Sequence, residues 1–303
     1  MFKTILVALE ASSLDADLLE QVLRLTWRED VRLSLFHVVD PEGGEEYEGE
    51  DVSIRLRHQA AQRRLDKQEQ LLAGKGLTVD SHVHMGDPAD SILRRAEEIG
   101  ASMIALATHG RSGPKRWFHG SVTESVLRWA KVPVLVTNPT QKSRLPQEGF
   151  KRVLVPLDGS ERSARILPTV RAFALLYDAA VTLLRVGIQP AVPPMEVPLS
   201  TVDLPPLREH LREEARALLP RLEGVRAAEV DVAFADSASD GILDVVERGG
   251  IDLVALGTHG RTGLDRLLFG STAEAVAREC GVPILVFRNL YEDEDGEGED
   301  SEG

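Results

Sequence analysis

Short apolar runs alternate with longer stretches of helical spacing along this chain. In its C-terminal part, apolar runs at 152–157, 181–186, 229–234, 252–256 and 283–287 have the length of buried strands. Between them, 163–177, 207–222, 240–248 and 272–279 return apolar residues at the three- and four-residue intervals of a helix face. Five strands joined by four helices predict an α/β fold with a parallel sheet, because parallel neighbours need crossover connections and those helices cover both faces. The expected architecture is doubly wound.

The pattern occurs twice. Residues 103–137 align with 253–287 without a gap, 17 of 35 positions being identical, and 3–19 align with 151–167. The chain therefore reads as two tandem domains, 1–137 and 151–290, each a five-stranded sheet with helices on both faces. The segment 138–150 holds Pro139, Gln141, Lys142, Ser143 and Pro146 without periodicity and reads as a linker. Beyond 290 lies an acidic tail, 291–303, with eight Asp or Glu between 292 and 302, expected to stay solvated and disordered. The last apolar run of each copy, 132–137 and 282–287, is expected at the edge of its sheet, where an unpaired apolar strand invites pairing.

Composition narrows the function. A length of 303 residues suits two domains, and 43% hydrophobic with 28% charged residues is ordinary for a globular chain. A net charge of −14 argues against a nucleic-acid or anionic-membrane partner, both of which reward clustered positive charge. The most apolar region is interrupted by Arg171, Asp178 and Arg185, so no membrane span is expected. The apolar run 4–9 is too short for a secretory leader and reads as a first strand, which makes the cytoplasm the expected location. Cys280, the single cysteine, can form no internal disulfide and is expected as a small buried apolar residue.

In a doubly wound sheet, ligands bind outside the carboxyl ends of the strands where the strand order reverses. Two segments have the character of such a crevice. In Val155-Pro156-Leu157-Asp158-Gly159-Ser160 a strand ends in a carboxylate suited to sugar hydroxyls, although the same Asp158 equally suits the start of a helix. In the other, Gly257-Thr258-His259-Gly260 leads through Arg261 and Arg266 to Gly270-Ser271 at a helix start. Glycine lets backbone N–H groups approach a ligand, and free N–H groups at a helix N-terminus favour an anion, so this segment is a candidate phosphate seat. Arg261 is a candidate cation beside it. His109 and His259 have no partner at ligand spacing and read as loop residues rather than catalytic groups or metal ligands. Trp117, Phe118 and Trp129 fit either core or contact surface.

The spacing Gly257-x2-Gly260-x9-Gly270-Ser271, together with the Asp158 segment, resembles the ATP-binding branch of the universal stress protein family, and both copies share in the resemblance. It implies strand order 3-2-1-4-5, and ATP as ligand with Mg²⁺ or Mn²⁺ as a candidate companion. By the same resemblance Pro156, Leu157 and Asp158 line the adenosine, with Asp158 on the ribose, and the backbone near Val186 meets adenine. Leu256 and Gly257 run along the nucleoside, and Gly260, Gly270, Ser271 and Thr272 hold the phosphates. The first copy departs: Ala8 replaces the proline, Glu10-Ala11 the Asp-Gly, and Ala107 the first glycine, whereas Gly110, Gly120, Ser121, Val122 and Thr123 keep the phosphate half. With Glu10 and Val38 on the nucleoside side, it is expected as the weaker site, since the Ala107 methyl crowds the nucleoside.

The resemblance also implies that the copies pair through 132–137 and 282–287 as a pseudo-dimer, and it is compatible with a homodimer of chains. The function expected is that of a cytoplasmic stress-response protein, a nucleotide-dependent sensor or regulator. Alternatives are a slow ATPase or autophosphorylating enzyme, an adenylyl-transferring enzyme, and an interaction protein without a ligand. No Gly-x4-Gly-Lys-Ser/Thr loop occurs, which disfavours a motor ATPase. The strings Ser-Gly-Gly-x-Asp-Ser and His-Ile-Gly-His, which mark many adenylyl-transfer enzymes, are absent too.

Overall fold

The computed structural model describes residues 1–10, 15–26, 30–41, 50–108, 122–138, 149–188, 204–257 and 270–287. The first half runs β1 (Thr4–Ala8), α1 (Asp15–Leu25), β2 (Arg32–Val39), α2 (Glu50–Ala73), β3 (Thr78–Met85), α3 (Pro88–Glu98), β4 (Met103–Ala107), α4 (Val122–Trp129) and β5 (Val134–Thr137). The second runs β6 (Arg152–Leu157), α5 (Glu161–Ala164), α6 (Leu167–Tyr177), β7 (Ala180–Ile188), α7 (Leu204–Arg216), β8 (Ala227–Ala235), α8 (Ala238–Glu247), β9 (Leu253–Gly257), α9 (Ser271–Glu279) and β10 (Ile284–Phe287). The acidic tail lies outside the described residues, as does most of the linker.

Two stretches of helical spacing are each broken by a proline. The expected helix 163–177 is instead α5 followed by α6, with Pro168 in the first turn of α6. A proline there has no N–H to donate and its ring collides with the carbonyl four residues back, that of Ala164, where α5 stops. Likewise α7 ends at Arg216, and Pro220 opens a separate 3₁₀ turn, Leu219–Leu222. Side-chain caps fix the starts of α3 and α8: Asp87 accepts from the Asp90 N–H, and Ser237 from the Asp240 N–H.

The strands form one sheet in the order β3-β2-β1-β4-β5-β10-β9-β6-β7-β8. Neighbours within each half are parallel, in the order 3-2-1-4-5. Between the halves, β5 and β10 are antiparallel, with Leu285 opposite Leu135. Strand side chains alternate between two cores: Ile5 and Val7 pack with Leu18, Leu65 and Phe173 beneath α1, α2 and α6, while Leu6 packs with Ile92, Val126, Ile242 and Val276 beneath α3, α4, α8 and α9. Among the described residues, no helix is long and apolar enough to cross a membrane.

Candidate functional site

The chain leaves β1 toward α1 on one face of the sheet and leaves β4 toward α4 on the other, while β1 and β4 lie side by side. Their carboxyl ends therefore part around a crevice. In the first half this crevice is a cavity of about 460 Å³. Ala8 and Glu10 line it at the end of β1, Val38 at the end of β2, Ala107 at the end of β4, and Val122 and Thr123 at the start of α4. A further wall is one face of α2, whose Arg57, Ala60, Ala61 and Arg64 recur at the spacing of adjacent turns. Ala107, expected to crowd a nucleoside, stands in the wall of an open cavity.

Local hydrogen bonds hold the floor of this cavity. His37 Nδ1 lies 2.8 Å from the carbonyl oxygen of Leu9, and because a carbonyl only accepts, Nδ1 carries the proton. The Glu10 N–H donates to Asp15 Oδ1 at 2.9 Å, pinning the strand end to the start of α1. Gly110, Gly120 and Ser121 lie outside the described residues, as do His109, Trp117 and Phe118. Trp129, at the end of α4, is exposed.

The second half has a different interior at the corresponding place. Asp158 Oδ1 accepts from both the N–H and the hydroxyl of Ser160, at 2.9 and 2.6 Å, and Ser160 in turn accepts the Ser163 N–H, so Asp158 helps to open α5. Arg185, buried on β7, donates to the Leu157 carbonyl at 2.8 Å and to Glu214 on α7 at 2.6 Å. Its guanidinium lies so close over Gly159 that a Cβ there would fall 2.7 Å from Nη2. Above Gly187, the ring of Phe234 and the side chain of Leu211 occupy the space a side chain would need.

The remaining site residues of that half are dispersed among strand ends and a helix start. Leu157 and Leu256 are buried, while Pro156, Val186 and Gly257 are part-exposed at strand ends. Val186 turns a methyl toward Gly241 of α8. Gly270 is the N-cap of α9 without a side-chain bond, with Ser271 and Thr272 in the first turn. Gly260, Arg261 and His259 lie outside the described residues.

Sequence reasoning missed Arg185, which sits inside an apolar run, and the α2 wall. The recurrence of residues 57, 60, 61 and 64 was the available signal for that wall. Among the described residues, no group of three or more His, Cys, Asp or Glu is placed to hold a metal ion. Cys280 is fully buried, and burial pushes its thiol up to about 11.

Comparison with known proteins follows the same division into halves. The model of the universal stress protein family matches twice, over 1–138 and 149–288. A universal stress protein of Mycobacterium tuberculosis is 30% identical over 219 residues, 71% of this chain and 71% of the relative. One from Mycolicibacterium smegmatis is 26% identical over 302 residues, covering 94% of this chain and 96% of its own length. Among solved structures, a universal stress protein from Archaeoglobus fulgidus superposes with a TM-score of 0.68 at 22% identity, covering 94% of this chain and 98% of the other.

Proposed function

The chain belongs to the universal stress protein family, and on that premise we propose that it is a stress-response regulator that binds an adenine nucleotide, ATP, at the carboxyl ends of its strands. The observation that carries this reading is the cavity of about 460 Å³ at the first-half switch point. Its volume falls in the range of roughly 300–1,000 Å³ usual for small-molecule sites, and its walls combine apolar side chains with a few polar ones, as nucleoside sites do. Val38 and Ala107 are suited to the flat base, Glu10 to ribose hydroxyls, and the first turn of α4 at Val122 and Thr123 to phosphate through its free N–H groups and dipole. Gly110, Gly120 and Ser121 are assigned to the phosphate side by their place in the motif.

This geometry moves the weight of the reading toward the first half. In the second half Asp158, Leu157, Pro156, Val186, Leu256 and Gly257 are proposed beside the nucleoside, and Gly260, Arg261, Gly270, Ser271 and Thr272 beside the phosphates. There the Arg185 guanidinium over Gly159 and the Phe234 ring over Gly187 narrow the nucleoside side. Mg²⁺ or Mn²⁺ would be held chiefly through the phosphates and water, the usual manner of Mg²⁺. Occupancy is proposed to alter partner choice rather than to drive rapid turnover. The two halves are proposed to act as an intrachain pair through β5 and β10, with a homodimer of chains as a further possibility of assembly, and the lone thiol of Cys280 supports the reducing cytoplasm as the working place.

Isothermal titration of the full chain with ATP and Mg²⁺ tests the reading. Glutamate at the first turn of a helix suits the dipole while repelling phosphate, so Val122→Glu and Ser271→Glu each disable one seat and keep the fold. ATP is expected to bind, with Val122→Glu weakening it at least tenfold and Ser271→Glu acting less. No binding to the unaltered chain would overturn the proposal.

A further inference from the structure

The α2 wall carries chemistry that the nucleotide reading does not use. Arg57 and Arg64 both line the first-half cavity, seven residues apart on one helix face, with Ala60 and Ala61 between them. Arg57 donates weakly to the Asp40 carbonyl at 3.3 Å, and its Nε is shut away from solvent without a hydrogen-bond partner. Among the described residues, neither guanidinium forms an ion pair. Two guanidiniums lining one cavity suit a phosphate or other oxyanion, which accepts the terminal N–H groups of their forks.

Position separates this wall from the phosphate seat. The inner face of α2 packs through Ala61 and Leu65 into the core on one side of the sheet, whereas α4 packs through Val126 and Leu127 into the core on the other. A ligand lying across the strand ends would thus meet anion-favouring groups at two separate places. The carboxylates of Glu10 and Asp40 and the ring of His37 line the floor between them. We infer that the α2 wall is a second anion seat, so that the first half takes a nucleotide phosphorylated on its ribose as well as at its 5′ end. One free ribose hydroxyl then satisfies a floor carboxylate while the ribose phosphate meets the arginines. Doubly wound dinucleotide-binding folds sort ribose ligands by the same logic, an acidic residue for hydroxyls and an arginine for a 2′-phosphate.

The second half lacks this wall. One hundred and fifty residues on, α7 offers Leu207, His210, Leu211 and Glu214. Leu211 packs toward Gly187, and Glu214 is bound to Arg185 at 2.6 Å. The duplicated halves therefore differ in the ligand they select.

This inference rests on the nucleotide reading, and the test keeps the two apart. The full chain is titrated with 5′-AMP, adenosine 2′,5′-bisphosphate and adenosine 3′,5′-bisphosphate, alongside Arg64→Gln, Arg57→Gln and, as a control, Arg63→Gln on the same helix away from the cavity. One bisphosphate is expected to bind about tenfold more tightly than 5′-AMP, as a charge-assisted contact allows. Arg64→Gln and Arg57→Gln should abolish that ratio while leaving 5′-AMP within about twofold, and Arg63→Gln should preserve it. Because Arg64 is exposed, its variant remains informative if Arg57→Gln fails to fold. Binding of 5′-AMP with no preference for either bisphosphate, or an equal loss in Arg63→Gln, overturns this inference alone. Failure of all three nucleotides and of ATP to bind overturns the nucleotide reading along with it.

Discussion

At Asp252 one buried carboxylate serves three donors: Oδ2 accepts from the Lys151 N–H at 2.8 Å and from Arg24 at 3.1 Å, and Oδ1 from the Arg152 N–H at 2.9 Å. Arg24 comes from α1 of the other half, lies over the Phe150 ring at 3.9 Å and donates to the Gly149 carbonyl at 2.9 Å. Burial lowers the pKa of Arg24, and the Asp252 carboxylate opposes that shift. Such a pair adds little over a well-packed apolar substitute, but removing one partner strands the other charge. Asp252→Ala should therefore cost about 3–5 kcal/mol in urea unfolding; a loss within the scatter of surface substitutions would show that Arg24 finds water instead. The sequence showed Asp252 only as the start of an apolar run, since nothing in it tells which distant cation a strand-end carboxylate will meet.

Glycines in the second half carry the contacts between elements. The Val186 methyls sit where a Cβ on Gly241 would lie, at 2.5 Å, so β7 and α8 approach only because position 241 is bare. Gly241→Val should destabilise the protein by about 1–3 kcal/mol through overpacking, read as a lower urea midpoint with an unchanged slope. At this scale the strands were legible, because a parallel strand buried on both faces is written as a continuous apolar run. The helices were less so: spacing carried 163–177 and 207–222 across Pro168 and Pro220, where backbone chemistry interrupts an intact apolar face. Strand order 3-2-1-4-5 and the choice of Glu10, Val38, Val122 and Thr123 came from the resemblance of the motif rather than from periodicity, and the structure has that order and sets those four residues around one cavity. The α2 wall stayed hidden because an arginine–alanine face looks like a solvated one; Ala61 lines a cavity there, whereas Leu211, 150 residues on, packs toward Gly187.

Across the whole molecule, duplication has produced one continuous sheet with unequal halves. Besides β5 and β10, the Tyr177 hydroxyl donates to the Leu25 carbonyl at 2.6 Å and the Phe2 and Phe173 rings meet at 6.3 Å between centroids, so the halves share packing as well as strands. At the first switch point two arginines line a cavity, and at the second Arg185 lies over Gly159 while Phe234 and Leu211 lie over Gly187. This asymmetry makes the account testable by filling one space. Ala60 lines the cavity from an exposed turn of α2, so Ala60→Trp puts an indole there with little cost to the helix. The decisive measurement is native mass spectrometry of the full chain and of Ala60→Trp with ATP and Mg²⁺, with circular dichroism confirming that both are folded. The account predicts a nucleotide adduct on the unaltered chain that Ala60→Trp largely loses. An adduct unchanged by the indole, or none on either protein, would contradict it.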